Sequence, residues 1–118
     1  MPSSLLLDHF QSPRNVGELG PPAIRVDVVN PVCGDMLRLS VRVEDNRVVD
    51  VAFKAKGCTA SIAAGSALTE LLRGRTRTEV TSITSNVVAE AVGGLEPASE
   101  HAAQLCVDAV KAFLTKWR

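Results

Sequence analysis

Three short segments of alternating apolar residues, joined by very short connections, most constrain how this chain can fold. Apolar side chains recur at every second position in residues 24–29, 37–43 and 49–55, which is the period of half-buried strands. Strands that follow one another through turns as short as residues 44–46 pair antiparallel. The pattern therefore predicts a three-stranded antiparallel meander, one apolar face of which needs a cover.

Helical spacing in the second half of the chain predicts that helices supply this cover. Residues 59–72 favour a helix rich in alanine, which permits close approach to the sheet, and residues 99–117 favour a longer one. Hydroxyl side chains accept bonds from the free N–H groups at helix starts. Shorter helices are therefore predicted at residues 5–10, 78–83 and 86–92, begun by Ser3 or Ser4, by Thr78 and by Ser85.

Two tight turns carry residue types that bind metals. One turn, at residues 30–35, precedes the second predicted strand, and the other contains Cys58 and follows the third. Cys33 and Asp35 can point into one opening if Gly34 takes the backbone geometry that other residues avoid. Cys58 opens a helical pattern, where a helix start favours negative charge. Because both turns lie at the same edge of a meander, we expect the two thiols and the carboxylate to meet there.

Two thiolates and a carboxylate suit Zn²⁺ or iron, and a fourth donor would complete a tetrahedron. His101 is the candidate fourth donor, because it follows the loop at Pro97 and lies near the start of the last helix. The alternative is that the free cysteines are small buried hydrophobes and that the histidine caps a helix or lies at the surface. The residues alone leave both interpretations open.

Other candidate ligands have simpler explanations. Cys106 begins an apolar stripe with Val110, Phe113 and Trp117, which predicts a packed core thiol. His9 is interpreted as a helix-end or surface histidine. Five basic side chains are interpreted as a solvated face, with a docking patch for an acidic partner as the alternative: Lys54, Lys56, Arg73, Arg75 and Arg77.

Composition narrows the function classes. The chain has 118 residues, 46% of them hydrophobic, which predicts a single domain over residues 1–118. Thirteen basic residues balance thirteen acidic ones, which argues against nucleic acid or a membrane surface as a partner. The N-terminal leucines are too few for a signal peptide or a membrane span, and three cysteines are an odd number. We therefore expect a cytoplasmic protein with reduced thiols.

Several segments, in order along nearly the whole chain, form a recognisable pattern: Asp8-His9-Phe10, Pro13-Arg14-Asn15-Val16-Gly17, Cys33-Gly34-Asp35, and Gly57-Cys58 with Ala60, Ser61 and Ala63. With them the chain resembles the iron–sulfur cluster assembly scaffold family of the IscU/NifU N-terminal type. The resemblance implies an α+β fold of the SufE/NifU kind with a three-stranded antiparallel sheet. It also implies a site that holds a nascent [2Fe–2S] cluster or Zn²⁺ before transfer, with Cys33, Asp35 and Cys58 as ligands.

The chain departs from the family pattern at the third cysteine. The family has a His-Cys pair where this chain has His101-Ala102, and an alanine cannot bind a metal. Cys106 lies one turn later on the same helix face, about 6 Å further along the axis, which is too far to replace the missing ligand. Residues 95–99 also lack the second proline and the lysine of the family's chaperone-binding segment, which argues against chaperone docking.

The leading hypothesis is a scaffold, not an enzyme, that binds Zn²⁺, iron or a nascent cluster through Cys33, Asp35, Cys58 and His101. The resemblance implies that it accepts sulfur from a cysteine desulfurase and serves apo iron–sulfur recipient proteins. The alternative is an adaptor that docks a desulfurase or a recipient without holding a cluster. A third hypothesis is a hydrolase with Cys58 as nucleophile and His101 as base, for which the sequence shows no orienting residue and no oxyanion signature.

Overall fold

The computed structural model describes residues 3–32 and 34–117. In these residues the chain forms five helices, three strands and a 3₁₀ turn at Pro97–Ser99. In chain order the helices and strands are α1 (Ser4–Gln11), β1 (Ile24–Val29), β2 (Met36–Glu44), β3 (Arg47–Lys56), α2 (Thr59–Leu72), α3 (Arg77–Thr81), α4 (Ser85–Ala91) and α5 (Glu100–Lys116). None of the described helices is long and apolar enough to cross a membrane.

The strands form one sheet in the order β1-β2-β3, and both neighbouring pairs are antiparallel. This confirms the predicted meander and the α+β fold. Leu39 pairs with Val26 on one side and with Phe53 on the other, and all three side chains are buried on the same face. Helices α2 and α5 cover that face. A Cβ at Gly65 of α2 would lie 2.8 Å from the Phe53 ring, so the small residues of this helix do allow close approach.

The face of β3 changes at a β-bulge that the alternation did not predict. The partner of Arg42 is Asp50, but the partner of Val43 is Val48, so one residue of β3 is skipped. As a result Val48, at 1% exposure, lies in the core, whereas the predicted core residue Val49 is only half-buried. A bulge places two residues opposite one and reverses which side of the strand faces inward.

Two of the predicted helix caps are wrong. Thr76 begins α3 and Thr84 begins α4, in place of Thr78 and Ser85. The hydroxyl of Thr76 accepts a bond from the backbone N–H of Glu79, and the Glu79 carboxylate accepts one from the backbone N–H of Thr76. This reciprocal pair satisfies two donors that the helix itself leaves free, and its Thr-x-x-Glu spacing is visible in the sequence.

The basic residues do not behave as one free patch. Lys54 lies 3.8 Å from Glu18, Arg73 pairs with Asp50 at 3.0 Å, and Arg77 donates to the carbonyl of Trp117. These contacts favour the interpretation of a solvated, internally paired face.

His9 lies in the last turn of α1, as predicted, but it is buried rather than at the surface. Its Nδ1 lies 2.7 Å from the hydroxyl of Ser66 on α2, and the residue is 5% exposed. Burial lowers its pKa below the ordinary 6.5, and the charge of Arg14 lowers it further, against the opposing effect of Glu70 and Asp8. The histidine is therefore part of the contact that holds α1 on α2.

We expect His9 to make the protein less stable as the pH falls. The unfolded chain takes up a proton at the ordinary pKa of 6.5, whereas the folded chain resists it, so stability is present above that value and declines below it. The free energy of unfolding is measured by urea denaturation at about pH 7.5 and about pH 5.5, which lie on either side of the ordinary histidine pKa. The wild type should lose more free energy of unfolding over this interval than His9→Gln, which keeps the neighbouring carboxylates. An equal loss in both proteins would contradict this assignment.

Candidate metal centre

Three candidate ligands lie at the starts of three separate elements. Asp35 directly precedes β2, Cys58 is the N-cap residue of α2, and His101 lies in the first turn of α5. The meander brings the first two together, because Met36 at the start of β2 pairs with Lys56 at the end of β3. Packing of α5 across β1 and β2 brings the third. The structure therefore places Asp35 and Cys58 together at one edge of the sheet, as predicted, and brings the candidate fourth donor His101 to them.

The donor atoms of these residues lie close enough to share one ion. Cys58 Sγ is 3.4 Å from Asp35 Oδ2 and 3.5 Å from His101 Nε2, and the histidine nitrogen is 3.3 Å from the same carboxylate oxygen. Ordinary bond lengths to Zn²⁺ give tetrahedron edges of about 3.3 Å between N and O donors and about 3.6 Å where one donor is sulfur. The three separations therefore have the size of one face of such a tetrahedron.

The same geometry argues against a hydrolase. In a nucleophile–histidine–carboxylate triad the nucleophile and the carboxylate bind opposite nitrogens of the imidazole, so that one nitrogen takes the proton and the other is held. Here Cys58 and Asp35 both approach Nε2 of His101. Donors that converge on one point are typical of an ion site, not of a proton relay.

Two glycines and a serine shape the surroundings of Asp35. Gly34 has φ +78°, a backbone geometry that other residues avoid and the condition on which the prediction for this turn rested, and Gly57 has φ +147°. Asp35 packs so tightly on Gly57 that a Cβ there would lie 2.4 Å from the carboxyl carbon. Ser61 donates a hydrogen bond of 2.5 Å to Asp35 Oδ2. The carboxylate is thus buried and held, at 6% exposure, whereas Cys58 is exposed.

Ser61 and Gly57 are parts of the site that reasoning from residue chemistry missed. Neither is a metal ligand, so neither stands out by type. Two signals were available: both residues belong to the family pattern around Cys58, and Ser61 follows Cys58 by three positions, one helical turn further on.

The remaining cysteines divide into one outside the described residues and one in the core. Cys33, a predicted ligand, lies outside the residues that the structure describes. Cys106 is 1% exposed, and burial raises the pKa of its thiol to about 12. It lies on the buried side of α5 with Val110 and Phe113, and the ring of Phe113 packs on Trp117. The predicted core role of Cys106 is confirmed.

A thiol, an imidazole and a carboxylate lie together beside a small meander, so the protein is an α+β domain with a candidate metal site. Residues 2–118 match the family model of the NifU-like N terminal domain. This match covers nearly the whole chain, and the chain belongs to that family.

Named relatives are similar over nearly the whole chain. The iron–sulfur cluster assembly scaffold protein IscU 1 of Archaeoglobus fulgidus is 43% identical over 117 residues, which are 99% of this chain and 76% of that protein. The scaffold protein IscU of Haemophilus influenzae is 35% identical over 120 residues, covering 98% and 94%. The crystal structure of a NifU-like N-terminal protein from Brucella abortus superposes with a TM-score of 0.76 at 18% identity, covering 98% and 95%. This last likeness concerns the fold.

Proposed function

We propose that this chain is an iron–sulfur cluster assembly scaffold that holds its cargo through Cys33, Asp35, Cys58 and His101. The function class, a scaffold and not an enzyme, follows from the family and from relatives of 35–43% identity that are named as such. The match over residues 2–118 supports treating the chain as a single domain. One observation carries the assignment of ligands: the donor atoms of Asp35, Cys58 and His101 lie within 4.8 Å of one another.

Cys33 is the proposed fourth ligand. Asp35, Cys58 and His101 supply three corners of a tetrahedron, and Cys33 is separated from Asp35 by a single glycine. A second thiolate beside an imidazole and a carboxylate suits Zn²⁺ and iron. A [2Fe–2S] cluster takes four protein ligands, so these four residues are just enough for a cluster without the family's third cysteine. Zn²⁺, iron and a nascent cluster are thus the proposed cargo.

Cys58 is the proposed point of entry for sulfur. Its thiol is exposed, and His101 Nε2 lies 3.5 Å away, within reach of its proton. Sulfur would come from the persulfide of a cysteine desulfurase. The Cys58 thiolate would attack the outer sulfur, the S–S bond of the persulfide would break, and the desulfurase thiolate would leave. The proposed recipients are apo iron–sulfur proteins. The lack of chaperone docking and the cytoplasmic location remain predictions from the sequence.

Anaerobic reconstitution tests this function. Purified metal-free protein is supplied with Fe²⁺ and sulfide, and separately with Zn²⁺, and is then desalted. We expect either one Zn²⁺ per chain or bound iron and sulfide with a visible sulfur-to-iron charge-transfer band. If neither metal stays bound, the adaptor hypothesis replaces this one, and capture of a cysteine desulfurase by the metal-free protein would support it.

A further inference from the structure

Ser61 lies next to two of the donor atoms, although its own chemistry makes it a poor metal ligand. It belongs to the first turn of α2 and is 2% exposed. Its hydroxyl donates to Asp35 Oδ2 at 2.5 Å and lies 3.4 Å from Cys58 Sγ. A buried hydroxyl so close to two candidate ligands can affect the orientation of their side chains.

The two oxygens of Asp35 have different surroundings. Oδ2 faces Cys58 and His101, at 3.4 Å and 3.3 Å. Oδ1 is turned against the backbone of Gly57, where a Cβ would lie 2.5 Å from it. The hydroxyl of Ser61 binds the oxygen that faces the other donors, and it occupies only part of that oxygen's accepting capacity. The carboxylate is therefore held with a single oxygen directed at the other two donors.

We propose that Ser61 is a positioning residue of the metal centre, which keeps Asp35 a one-oxygen donor and so favours ions that take four ligands. This inference rests on the proposed function. A carboxylate that can rotate offers either oxygen or both, as the sites of larger, oxygen-seeking cations require. A carboxylate pinned through Oδ2 offers one, which suits tetrahedral coordination with sulfur and nitrogen. Ser61 thereby acts through Asp35 and not by touching the ion.

Co²⁺ is the probe for this inference, because its visible bands are intense in a tetrahedral site and weak in a six-coordinate one. Loss of a side chain that orients a ligand typically weakens metal binding by about 10–100-fold. We expect Ser61→Ala to bind Co²⁺ more weakly by about that factor, with weaker visible bands and a smaller preference for Co²⁺ over Mn²⁺. Ser61→Thr, which keeps the hydroxyl, should recover both the affinity and the spectrum.

Ser66→Ala is the matched control. Ser66 is also buried on α2, but its hydroxyl binds His9 and the backbone N–H of Arg14. Far-UV circular dichroism and urea unfolding compare the folding of the two variants. Ser66→Ala should lose stability and keep the wild-type cobalt spectrum, because it removes a hydroxyl of the same kind away from the ligands. An equal spectral change in both variants would overturn the inference.

A double-mutant cycle separates this inference from the function on which it rests. If Ser61 acts through Asp35, adding Ser61→Ala to Asp35→Ala should weaken Co²⁺ binding no further. A full additional loss in that background would overturn the positioning role. If the wild type itself fails to bind Co²⁺, the proposed function is wrong. If the wild type binds and Ser61→Ala matches it in affinity and spectrum, only the role of Ser61 is wrong.

Discussion

Replacing Cys58 by serine is expected to abolish both tight metal binding and cluster reconstitution. The change removes the one thiol among the three donors that the structure brings together. Loss of a residue that only orients a ligand already weakens binding by about 10–100-fold, so loss of the ligand itself should exceed about 100-fold. The fold should survive, because Cys58 is exposed at the N-cap of α2 and serine is a favourable residue there.

A competition titration with a chromophoric chelator measures the Zn²⁺ affinity of Cys58→Ser, and iron and sulfide analysis measures the cluster. Cys106→Ala is the control, because it also removes one thiol but from the core. We expect it to lower the free energy of unfolding by about 1 kcal/mol and to leave metal content unchanged. Wild-type metal content in Cys58→Ser would remove the ligand assignment.

Replacing Gly57 by alanine is expected to damage the site without touching a ligand. Gly57 has φ +147°, and its added Cβ would lie 2.4 Å from the carboxyl carbon of Asp35. The carboxylate would have to leave its place, and Cys58, the next residue, would move with the backbone. We expect Zn²⁺ affinity to fall at least as far as for loss of an orienting residue, about 10–100-fold. The backbone strain should also lower stability by about 1–3 kcal/mol.

Alanine variants of two other glycines serve as controls that separate the effect of backbone strain from the effect of a Cβ that crowds Asp35. Gly74 has φ +83° and Gly20 has no such strain, and a Cβ at either would meet no described atom within 4 Å. Gly74→Ala should therefore lose stability but keep its Zn²⁺ affinity, and Gly20→Ala should keep both. If Gly57→Ala loses no more affinity than Gly74→Ala, the close packing of Asp35 on Gly57 has no part in binding.

The sheet and α2 could be predicted because their signals are local. Period-two alternation and short turns define the meander, and the apolar spacing of residues 59–72 defines α2 with the bounds that the structure has. The same topology explains why the turns carrying Asp35 and Cys58 meet. The bulge at Val49 could not be predicted in this way, because Val48 and Val49 are both apolar and the sequence does not show which of them faces the core.

The rest of the site depends on packing between distant parts of the chain. His101 was predicted from its chemistry, but its arrival beside Cys58 depends on how α5 lies across the sheet. Likewise the burial of His9 depends on the contact of α1 with Ser66, which lies 57 positions away. The positions of Ser61 and Gly57 around Asp35 follow from the fit of one turn against another. Such contacts depend on tertiary packing, which the periodicity of a sequence does not reveal.

Because the donors lie at the starts of three separate elements, binding of an ion is thermodynamically linked to the stability of the fold. An ion held by Asp35, Cys58 and His101 would clamp β2, α2 and α5 to each other at their first residues. At a free ion concentration a thousand times the dissociation constant, mass action alone adds about 4 kcal/mol to the free energy of unfolding. The linkage is reciprocal: a partner that favoured a state with α5 displaced would weaken ion binding by the coupling free energy between the two events.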